Sequence, residues 1–419
     1  MMKLVGPGII TGAADDDPSG IATYSQTGAQ FGYGQLWTVL FILPFLTAVQ
    51  EACARIGAVT GKGIAAVVRQ HYSKKVLYFV VGLVLVANTI NIGADIGAMA
   101  AAAQLVVPIN FAFLTIGFTV LILLLEVFTS YKVYSRILKW LALALIAYLL
   151  SLAMIKVPWI TVLKATFIPH MEFNPAFLFI ITGVFGTTIS PYMFFWEASE
   201  EVEEERENHV KKIDGRPLLT KKYIKNLRID NFMGMFFSQI TTWAIIVVAG
   251  TVFFNNHITT ISTAAEAAKA LEPLVSGFPN AGVLAKIVFA LGIIGLGMLA
   301  VPVLSGSAAY SIAEAFNWKE GLNQKFKKAH GFYGVITIAM LIGLLINFVG
   351  ISPINALIYA AVLNGVASIP LLFLVGKIAA NRSIMGTEAS GVWSKILVTT
   401  TFGFTLLTGL ALVYSVVFK

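Results

Sequence analysis

Three consecutive carboxylates lie in the middle of the first apolar stretch of the chain, at Asp15, Asp16 and Asp17. A charge at the centre of a bilayer costs about 2.5–3.5 kcal/mol, which apolar packing does not offset. Pro18 follows at once, and because proline lacks a backbone donor and disfavours helical geometry at the preceding residue, a helix is expected to break here. Gly20 adds backbone freedom. We therefore expect these carboxylates to face water or a cation at an interrupted helix.

A second apolar stretch is interrupted about 170 residues later by Gly186, Thr187, Thr188, Ser190 and Pro191. A proline kink in one membrane helix on its own indicates only a bend. Two interruptions at equivalent positions, one of them carrying three carboxylates, instead indicate an inverted-repeat transporter whose site lies at mid-membrane. Unwound turns expose backbone carbonyls, and such oxygen ligands suit a hard divalent cation.

The composition is that of a chain surrounded by lipid. Of its 419 residues, 58% are hydrophobic and 12% are charged, whereas about 25% of the residues of soluble domains are charged. The charges cluster between long apolar runs, which excludes a soluble multidomain enzyme. The single cysteine, Cys53, excludes an intrachain disulfide framework, and five scattered histidines without partner cysteines do not predict a zinc site of the soluble type.

The apolar runs predict an all-α polytopic membrane protein with eleven transmembrane helices, of which helices 1 and 6 are broken. We expect one integral membrane domain over residues 1–419, in which an inverted five-plus-five repeat is followed by one extra helix. The first repeat covers 1–155, the second covers 176–376, and the extra helix covers 395–418. The predicted spans are 4–31, 36–58, 76–106, 110–129, 137–155, 176–200, 232–254, 282–315, 332–349, 352–376 and 395–418.

Lysine and arginine are concentrated in the loops that follow the even-numbered spans. The opposite loops and the C-terminus hold only Lys156, Lys164, Lys269 and Lys419, with Lys286 near a span end. Because cytosolic loops carry the excess of basic residues, the N-terminus is predicted to be cytosolic and the C-terminus extracellular, in the plasma membrane of a prokaryotic cell. The same bias explains the net charge of +8 without a nucleic-acid partner. The expected partners are a divalent metal ion and the lipid bilayer, and no protein partner is indicated.

These motifs resemble those of the NRAMP family of divalent metal transporters over spans 1 to 10. Family members open with Gly-Pro-Gly and, after eight further residues, Asp-Pro-Gly-Asn; here residues 6–8 and 17–20 stand at that spacing. Residues 54–65, ARIGAVTGKGIA, are similar to the family's segment leaving span 2. In span 6 the family has a small residue, a methionine three later and then Pro-His, where this chain has Thr187, Ser190 and 191–192 as Pro-Tyr. The resemblance implies an amino-acid/sodium-symporter type of fold, eleven spans and alternating access.

Departures from the family pattern bear on the ion and on the proton route. The family's metal-binding asparagine is Gly20 here, and its methionine, a soft sulfur ligand, is Ser190. Its two span-6 histidines fall on Tyr192 and Glu197, and its span-3 aspartate is kept as Asp95 without the acidic residue three later. No arginine pair opens span 9. In the family, the histidine, acidic and arginine positions form the proton route. Because this chain departs from the pattern there, we expect metal entry with little proton movement.

The substitutions match the magnesium-transporting branch related to NRAMP proteins. Thioether sulfur favours softer transition ions, and carboxylate, carbonyl and water suit magnesium, calcium and manganese. Mg²⁺ gives up its water reluctantly, so a roomy site without sulfur fits a partly hydrated ion. We expect Mg²⁺ to be the transported ion and Mn²⁺ to be tolerated, with no resident cofactor.

Each candidate residue has an expected role. Asp17 binds the ion directly or through water, and Thr187 offers its carbonyl oxygen at the break. Ser190 hydrogen-bonds a metal-bound water, and Gly20 leaves space. Candidate metal ligands or outer-shell positions are Asp15, Asp16 and Asn364, and candidate positions on an ion or proton path are Asn91, Asp95, Tyr192 and Glu197.

Two charged features outside the breaks are given structural interpretations. Glu51 and Arg55, four residues apart, are predicted to pair near the cytosolic end of span 2. The acidic run over 197–207 predicts a solvated cytosolic extension of span 6, with an acidic exit funnel as the alternative.

Competing functions remain open at this point. A proton-coupled Mn²⁺ or Fe²⁺ importer is the alternative within metal transport, and a sodium-coupled solute carrier would use the same fold. An intramembrane metal-dependent hydrolase would need a second catalytic carboxylate, for which Asp95 is the candidate. A transporter that is not an enzyme is the favoured interpretation.

Overall fold

The computed structural model describes residues 6–129, 146–213, 216–277, 279–324 and 326–417. Within these residues the protein is helical apart from a hairpin of two short strands. The helices of the first half, in chain order, are α1 (Pro7–Asp15), α2 (Pro18–Phe31), α3 (Trp37–Thr60), α4 (Ile64–His71), α5 (Lys74–Ala103), α6 (Phe111–Phe128), α7 (Ile146–Met154) and α8 (Trp159–Phe167).

The second half begins with another interrupted helix. Strand β1 (Lys212–Ile213) pairs antiparallel with β2 (Arg216–Pro217) in the connection that follows it. The helices are α9 (Pro175–Thr188), α10 (Pro191–Glu207), α11 (Lys221–Val252), α12 (Ala264–Ala268), α13 (Glu272–Val275), α14 (Ala281–Phe316), α15 (His330–Ile346), α16 (Pro353–Ala380), α17 (Arg382–Met385) and α18 (Val392–Val417).

Both helix breaks predicted from the sequence are present. Helix α1 ends at Asp15, Asp16 leaves helical geometry with φ −88° and ψ 46°, and Asp17 is extended with φ −62° and ψ 172°. Helix α9 ends at Thr188, and Ser190 is extended with φ −79° and ψ 138°. A proline opens the helix after each break, where its missing backbone donor costs nothing and its fixed φ suits the first turn.

Eight helical segments of the described chain are long and apolar enough to cross a membrane, counting Pro175–Glu207 as one segment through its break. Helix α15 is apolar but shorter, and the first predicted span is divided between α1 and α2. The fifth predicted span, 137–155, lies partly outside the described residues. So do the basic residues that follow span 4, at positions 132, 136 and 139, and the C-terminal Lys419. The count of eleven spans and the orientation of the termini therefore stay predictions.

Close helix packing holds the two broken helices in place. Helices α1 and α2 pack on α11, while α9 packs on α16 and α5 on α14. A side chain at Gly12 would collide with the backbone of Gly234, and one at Gly186 would collide with the backbone of Ala361. Glycine at these positions therefore permits backbone-to-backbone approach between helices.

The acidic run of α10 is not the solvated extension predicted from the sequence. Five of its carboxylates are buried: Glu197, Glu200, Glu201, Glu203 and Glu205. The prediction was wrong because α10 packs against α1, α3, α4 and α14, so most of its circumference is covered by protein. Of the carboxylates of α10, Glu204 is half-buried and Glu207 is exposed.

Candidate metal site

Asp17 is held in place by three hydrogen bonds at the first break. Its Oδ1 accepts from the backbone N–H of Gly20 at 2.7 Å and from the hydroxyl of Ser19 at 2.6 Å. Its Oδ2 accepts from Nδ2 of Asn91, on α5, at 3.1 Å. The side chain is 1% exposed. Asp17 thus acts as the N-cap of α2 and still has carboxylate lone pairs available for a cation.

The two breaks lie next to each other. The Ser19 hydroxyl oxygen is 3.4 Å from the Thr187 hydroxyl oxygen, and the Tyr24 hydroxyl is 2.9 Å from that of Thr188. Helices α1 and α9 both end here, and the C-terminal end of a helix carries partial negative charge. Helices α2 and α10 begin at the same breaks with partial positive ends, and Asp17 caps that of α2, so a cation would be held by the carbonyl ends of α1 and α9 together with this carboxylate.

Backbone oxygen is available at the second break. The Ser190 hydroxyl donates to the carbonyl oxygens of Gly186 at 2.6 Å and Thr187 at 2.7 Å. Each carbonyl oxygen has two lone pairs, so that of Thr187 can accept this hydrogen bond and also bind an ion. The Ser190 oxygen, having donated its proton, can itself accept a hydrogen bond from water.

Gly20 lies close to residues of both breaks. A Cβ atom at this position would lie 3.3 Å from the Thr187 hydroxyl oxygen, 3.3 Å from the Asp15 carbonyl oxygen and 3.2 Å from the Tyr24 ring. A longer side chain at residue 20 would therefore have to project into the region between Asp17 and Thr187 or displace Tyr24.

Asp15 and Asp16 are hydrogen-bonded to α11. The hydroxyl of Ser238 donates to Oδ2 of Asp15, and that of Thr242 donates to Oδ1 of Asp16 at 3.1 Å. Both carboxylates are fully buried against α11, and the other oxygen of each lacks a protein partner among the described residues. The structure therefore divides the three carboxylates: Asp17 faces α5 and α9, and the other two face α11.

Three further predicted positions are buried polar groups without full partners. Oδ1 of Asn91 and both carboxylate oxygens of Asp95 accept no hydrogen bond from the described residues, and both amide atoms of Asn364 lack a partner there. Buried polar atoms are rarely left unpaired, so such groups indicate places where water or an ion belongs. Asn91 contacts Asp17 directly, whereas Asn364 makes no hydrogen bond to either break in the described chain.

Tyr192 and Glu197 connect the two broken helices on one side of the site. The Tyr192 hydroxyl donates to the carbonyl oxygen of Ala14 at 2.8 Å. Glu197 accepts from the hydroxyl of Thr11 and, at 3.3 Å, from Nδ2 of Asn231. These two residues therefore join α10 to α1 and α11 and make no hydrogen bond to Asp17.

Hydroxyl groups are the part of the site that the sequence interpretation missed. The residues concerned are Ser19, Tyr24, Thr188, Ser238 and Thr242. The spacing of the last two, four apart in an apolar helix, was an available signal. Among the described residues no group of three His, Cys, Asp or Glu side chains could hold a metal ion, so a bound ion would depend on carbonyl, amide, hydroxyl and water oxygens besides Asp17.

Comparisons with known proteins agree with this architecture. The sequence pattern of the family described as natural resistance-associated macrophage protein-like matches residues 8–415. The chain is 25% identical over 404 residues to the divalent metal cation transporter MntH of Klebsiella pneumoniae (strain 342), covering 94% of this chain and 90% of that protein. It is 26% identical over 406 residues to MntH of Caldanaerobacter subterraneus subsp. tengcongensis, covering 94% and 89%.

Solved structures show the same fold. A manganese transporter of Eremococcus coleocola superposes with a TM-score of 0.78 at 16% identity, covering 98% of this chain and 85% of that one. MhsT in complex with L-phenylalanine superposes with a TM-score of 0.64 at 12% identity, covering 97% and 98%. The predicted amino-acid/sodium-symporter type of fold is thereby confirmed.

Proposed function

The chain belongs to the natural resistance-associated macrophage protein-like family, and from this membership we propose that it is an integral membrane transporter that carries divalent metal ions by alternating access. The observation that carries the proposal is the position of Asp17, whose buried carboxylate stands at one helix break and is joined through Ser19 to Thr187 at the other. A site between two broken helices can open to either side when the helix halves move against the rest of the protein. The family relatives are metal transporters, which supports the interpretation that the chain is not an enzyme.

We assign Mg²⁺ as the preferred ion and Mn²⁺ as a second substrate, as in the magnesium-transporting branch. The residues of the second break, 187–190, carry no sulfur. Gly20 has no side chain to compete with the water of a hydrated ion, and a Cβ there would already lie 3.3 Å from the Thr187 hydroxyl oxygen. Mg²⁺ keeps several waters and prefers oxygen ligands, whereas thioether sulfur favours softer ions. In this site Asp17 and the Thr187 carbonyl would bind the ion, and Ser190 would accept a hydrogen bond from its water.

We further propose that transport is not coupled to protons. Tyr192 and Glu197, at the family's histidine positions, are engaged with Ala14 and Thr11, and neither is an imidazole. Asp95 is the remaining candidate for a proton path because it is buried without a protein partner in the described chain. Among the described residues, neither carboxylate oxygen of Asp95 has a hydrogen-bonded partner through which a proton could be passed on, which favours uncoupled transport.

The repeats predicted from the sequence would move as units in this mechanism. Residues 1–155 and 176–376 would form the two halves, with 395–418 as an additional helix. Asp15, Asp16 and Asn364 would act from the periphery, the carboxylates through their charge and the amide through water. We propose that the protein lies in a bacterial plasma membrane with its N-terminus in the cytosol and its C-terminus outside the cell.

Two other functions compete with this one. Proton-coupled import of Mn²⁺ or Fe²⁺ is the alternative within metal transport, because the relatives in the family are divalent metal cation transporters. A sodium-coupled carrier of organic solutes is favoured by the similarity to MhsT in complex with L-phenylalanine. It would be supported by binding of labelled amino acids to the purified protein.

Flux measurements in proteoliposomes test the proposal. Liposomes with the wild-type protein, with the Asp17→Asn variant and without protein are loaded with a metal indicator and a pH dye, and Mg²⁺ or Mn²⁺ is added outside. We expect metal entry into the wild-type vesicles alone, at an unchanged internal pH. Acidification that follows metal entry would show proton coupling. If neither Mg²⁺ nor Mn²⁺ enters the vesicles, metal transport is contradicted.

A further inference from the structure

Two adjoining cavities lie at one end of the protein, where α3, α11 and the start of α18 meet. Each has a volume of about 600 Å³. The first is lined by four cationic side chains, Arg216, Lys221, Lys225 and Arg228, and among its described lining residues only Glu388 is a carboxylate. The cavity is therefore strongly positive.

The cations of α11 form one stripe. Lys221, Lys225 and Arg228 are spaced four and three residues apart, which places them on the same face of the helix. Like charges at this spacing repel each other, and the repulsion would be relieved by an anion in the cavity. Charge complementarity thus indicates a negatively charged occupant.

Where the two cavities meet, the guanidinium groups of Arg55 and Arg228 lie beside the carboxylates of Glu51 and Glu388. Nε of Arg228 lies 3.0 Å from Oε1 of Glu51, and Nε of Arg55 lies 2.9 Å from the same oxygen. The predicted pairing of Glu51 with Arg55 is confirmed, and it leaves Glu51 shared between two guanidinium groups. Arg228 uses its Nε for Glu51, which leaves its two terminal guanidinium nitrogens able to donate to a further anion.

The second cavity is largely apolar. Leu43, Pro44, Phe232 and Leu397 line it, and it shares Arg228, Thr387 and Glu388 with the first cavity. Phe232 stands one helical turn after Arg228, so the cationic stripe of α11 passes directly into an apolar surface. Phe232 is 45% exposed.

We infer that these cavities together bind one anionic phospholipid, with its phosphate among the cations of the first cavity and an acyl chain along the second. Basic residues at the end of a membrane span attract anionic lipids, and arginine binds phosphate through paired hydrogen bonds. A soluble phosphate would use only the first cavity, whereas a lipid uses both. The inference goes beyond the proposed transport function and does not depend on the identity of the ion.

The helix that lines the lipid site, α11, also holds the start of the first broken helix. Asp230, two residues after Arg228, accepts hydrogen bonds from the backbone N–H groups of Gly6 and Gly8, both at 2.8 Å. The same part of α11 therefore contacts the lipid cavity on one face and anchors the start of α1 on another.

Lipid retention tests the inference directly. The purified wild-type protein is mixed with phosphatidylglycerol or with phosphatidylcholine of the same acyl chains, and retained lipid is counted by native mass spectrometry. The double variant Lys221→Gln/Lys225→Gln is compared with Lys74→Gln/Lys75→Gln, which removes the same charge from exposed positions at the start of α5 outside both cavities. We expect the cavity variant to bind phosphatidylglycerol about thirty-fold more weakly than wild type, and the control variant to match wild type.

A second comparison separates a lipid from a free phosphate. Phe232→Gln should weaken retention of phosphatidylglycerol while leaving the binding of water-soluble glycerol phosphate unchanged. Equal retention of the two lipids by the wild-type protein would overturn the inference, as would equal losses in the two lysine variants. Glycerol phosphate that displaces phosphatidylglycerol at equal concentration would identify a soluble-anion site instead. Thermal unfolding of every variant in detergent verifies that it is folded.

Discussion

The amide of Asn91 donates a hydrogen bond of 3.1 Å to Oδ2 of Asp17, which joins α5 to the unwound residue of the first broken helix. The other oxygen of Asp17 is occupied by Ser19 and Gly20. Asn91 presents its own Oδ1 without a protein partner in the described chain. An ion beside Asp17 could therefore take an amide oxygen or its bound water from α5 as well as carbonyl oxygen from α9.

Asp17→Asn is expected to abolish metal uptake. The amide keeps the size of the side chain but removes the charge that a divalent ion requires, and loss of a ligand costs more than the roughly 10–100-fold typical of groups behind the ligands. Uptake into proteoliposomes measures the effect, and size-exclusion chromatography in detergent shows whether the variant is folded. A folded variant that still takes up metal would contradict the assignment of Asp17.

Asp16→Asn is expected to have a smaller effect. Asp16 accepts from Thr242 on α11 and does not reach the second break, so it acts on the ion only through its charge. We expect the Mg²⁺ concentration for half-maximal uptake to rise a few-fold, with the maximal rate retained. Complete loss of uptake, as in Asp17→Asn, would show that Asp16 binds the ion directly. Thr242→Val provides the matched control, because it removes the hydrogen bond and leaves the carboxylate.

The helix breaks could be predicted from the sequence because their causes are local. Pro18 and Pro191 each disfavour helical geometry at the residue before them, and the adjacent polar and glycine residues reinforce this effect. The partners of the carboxylates could not be predicted in the same way. Ser238 is 223 residues from Asp15 in the chain, and only the packing of α1 on α11 brings them together.

The burial of the acidic run of α10 could not be predicted from the sequence either, because it also depends on contacts between distant parts of the chain. Composition alone favours a solvated helix, since charged residues are rarely buried without partners. Glu197 is nevertheless covered, because Thr11 on α1 and Asn231 on α11 supply hydrogen bonds from distant parts of the chain. Glu197 and its hydrogen-bond donors are far apart in the chain, and no sequence pattern indicates that they contact each other.

Glu320→Gln is expected to stabilise the protein in a pH-dependent manner. Burial, and then the negative charge of Glu314, raise the pKa of Glu320 from 4.5 to about 9, although Arg206 opposes the shift. The folded protein thus favours the protonated side chain, and this contribution is complete below about pH 4.5 and lost as the pH rises through about 9. Glutamine resembles the protonated form at every pH.

The unfolding midpoint of Glu320→Gln in detergent should therefore exceed that of wild type by about 1–2 °C at pH 8 and equal it at pH 4. The shift is small because the side chain is 18% exposed and lies 3.9 Å from Arg206. The same difference in midpoint at both pH values would contradict the raised pKa.

Gly20→Asn is expected to reduce Mg²⁺ uptake about tenfold and to affect Mn²⁺ less. A Cβ atom at residue 20 would lie 3.3 Å from the Thr187 hydroxyl oxygen. The amide beyond it would therefore enter the region beside Thr187 and displace water that the hydrated ion needs. Gly20→Ala is the control, since it adds the Cβ without a ligand. Initial rates for both ions measure the change, and equal losses of Mg²⁺ and Mn²⁺ uptake in both variants would point to simple crowding.

Ser190→Met is expected to shift the preference from Mg²⁺ toward Mn²⁺. The substitution replaces a hydroxyl at the second break with a thioether, which binds softer ions better than it binds Mg²⁺. It also removes the hydrogen bonds to the carbonyl oxygens of Gly186 and Thr187, so total uptake should fall for both ions. Ser190→Ala removes the same hydrogen bonds without adding sulfur and therefore isolates the contribution of the thioether. We expect the ratio of Mn²⁺ to Mg²⁺ uptake to rise about tenfold in Ser190→Met and to stay at the wild-type value in Ser190→Ala. If the ratio rises equally in both variants, selectivity depends on the shape of the break, and the absence of sulfur at Ser190 does not explain a preference for Mg²⁺.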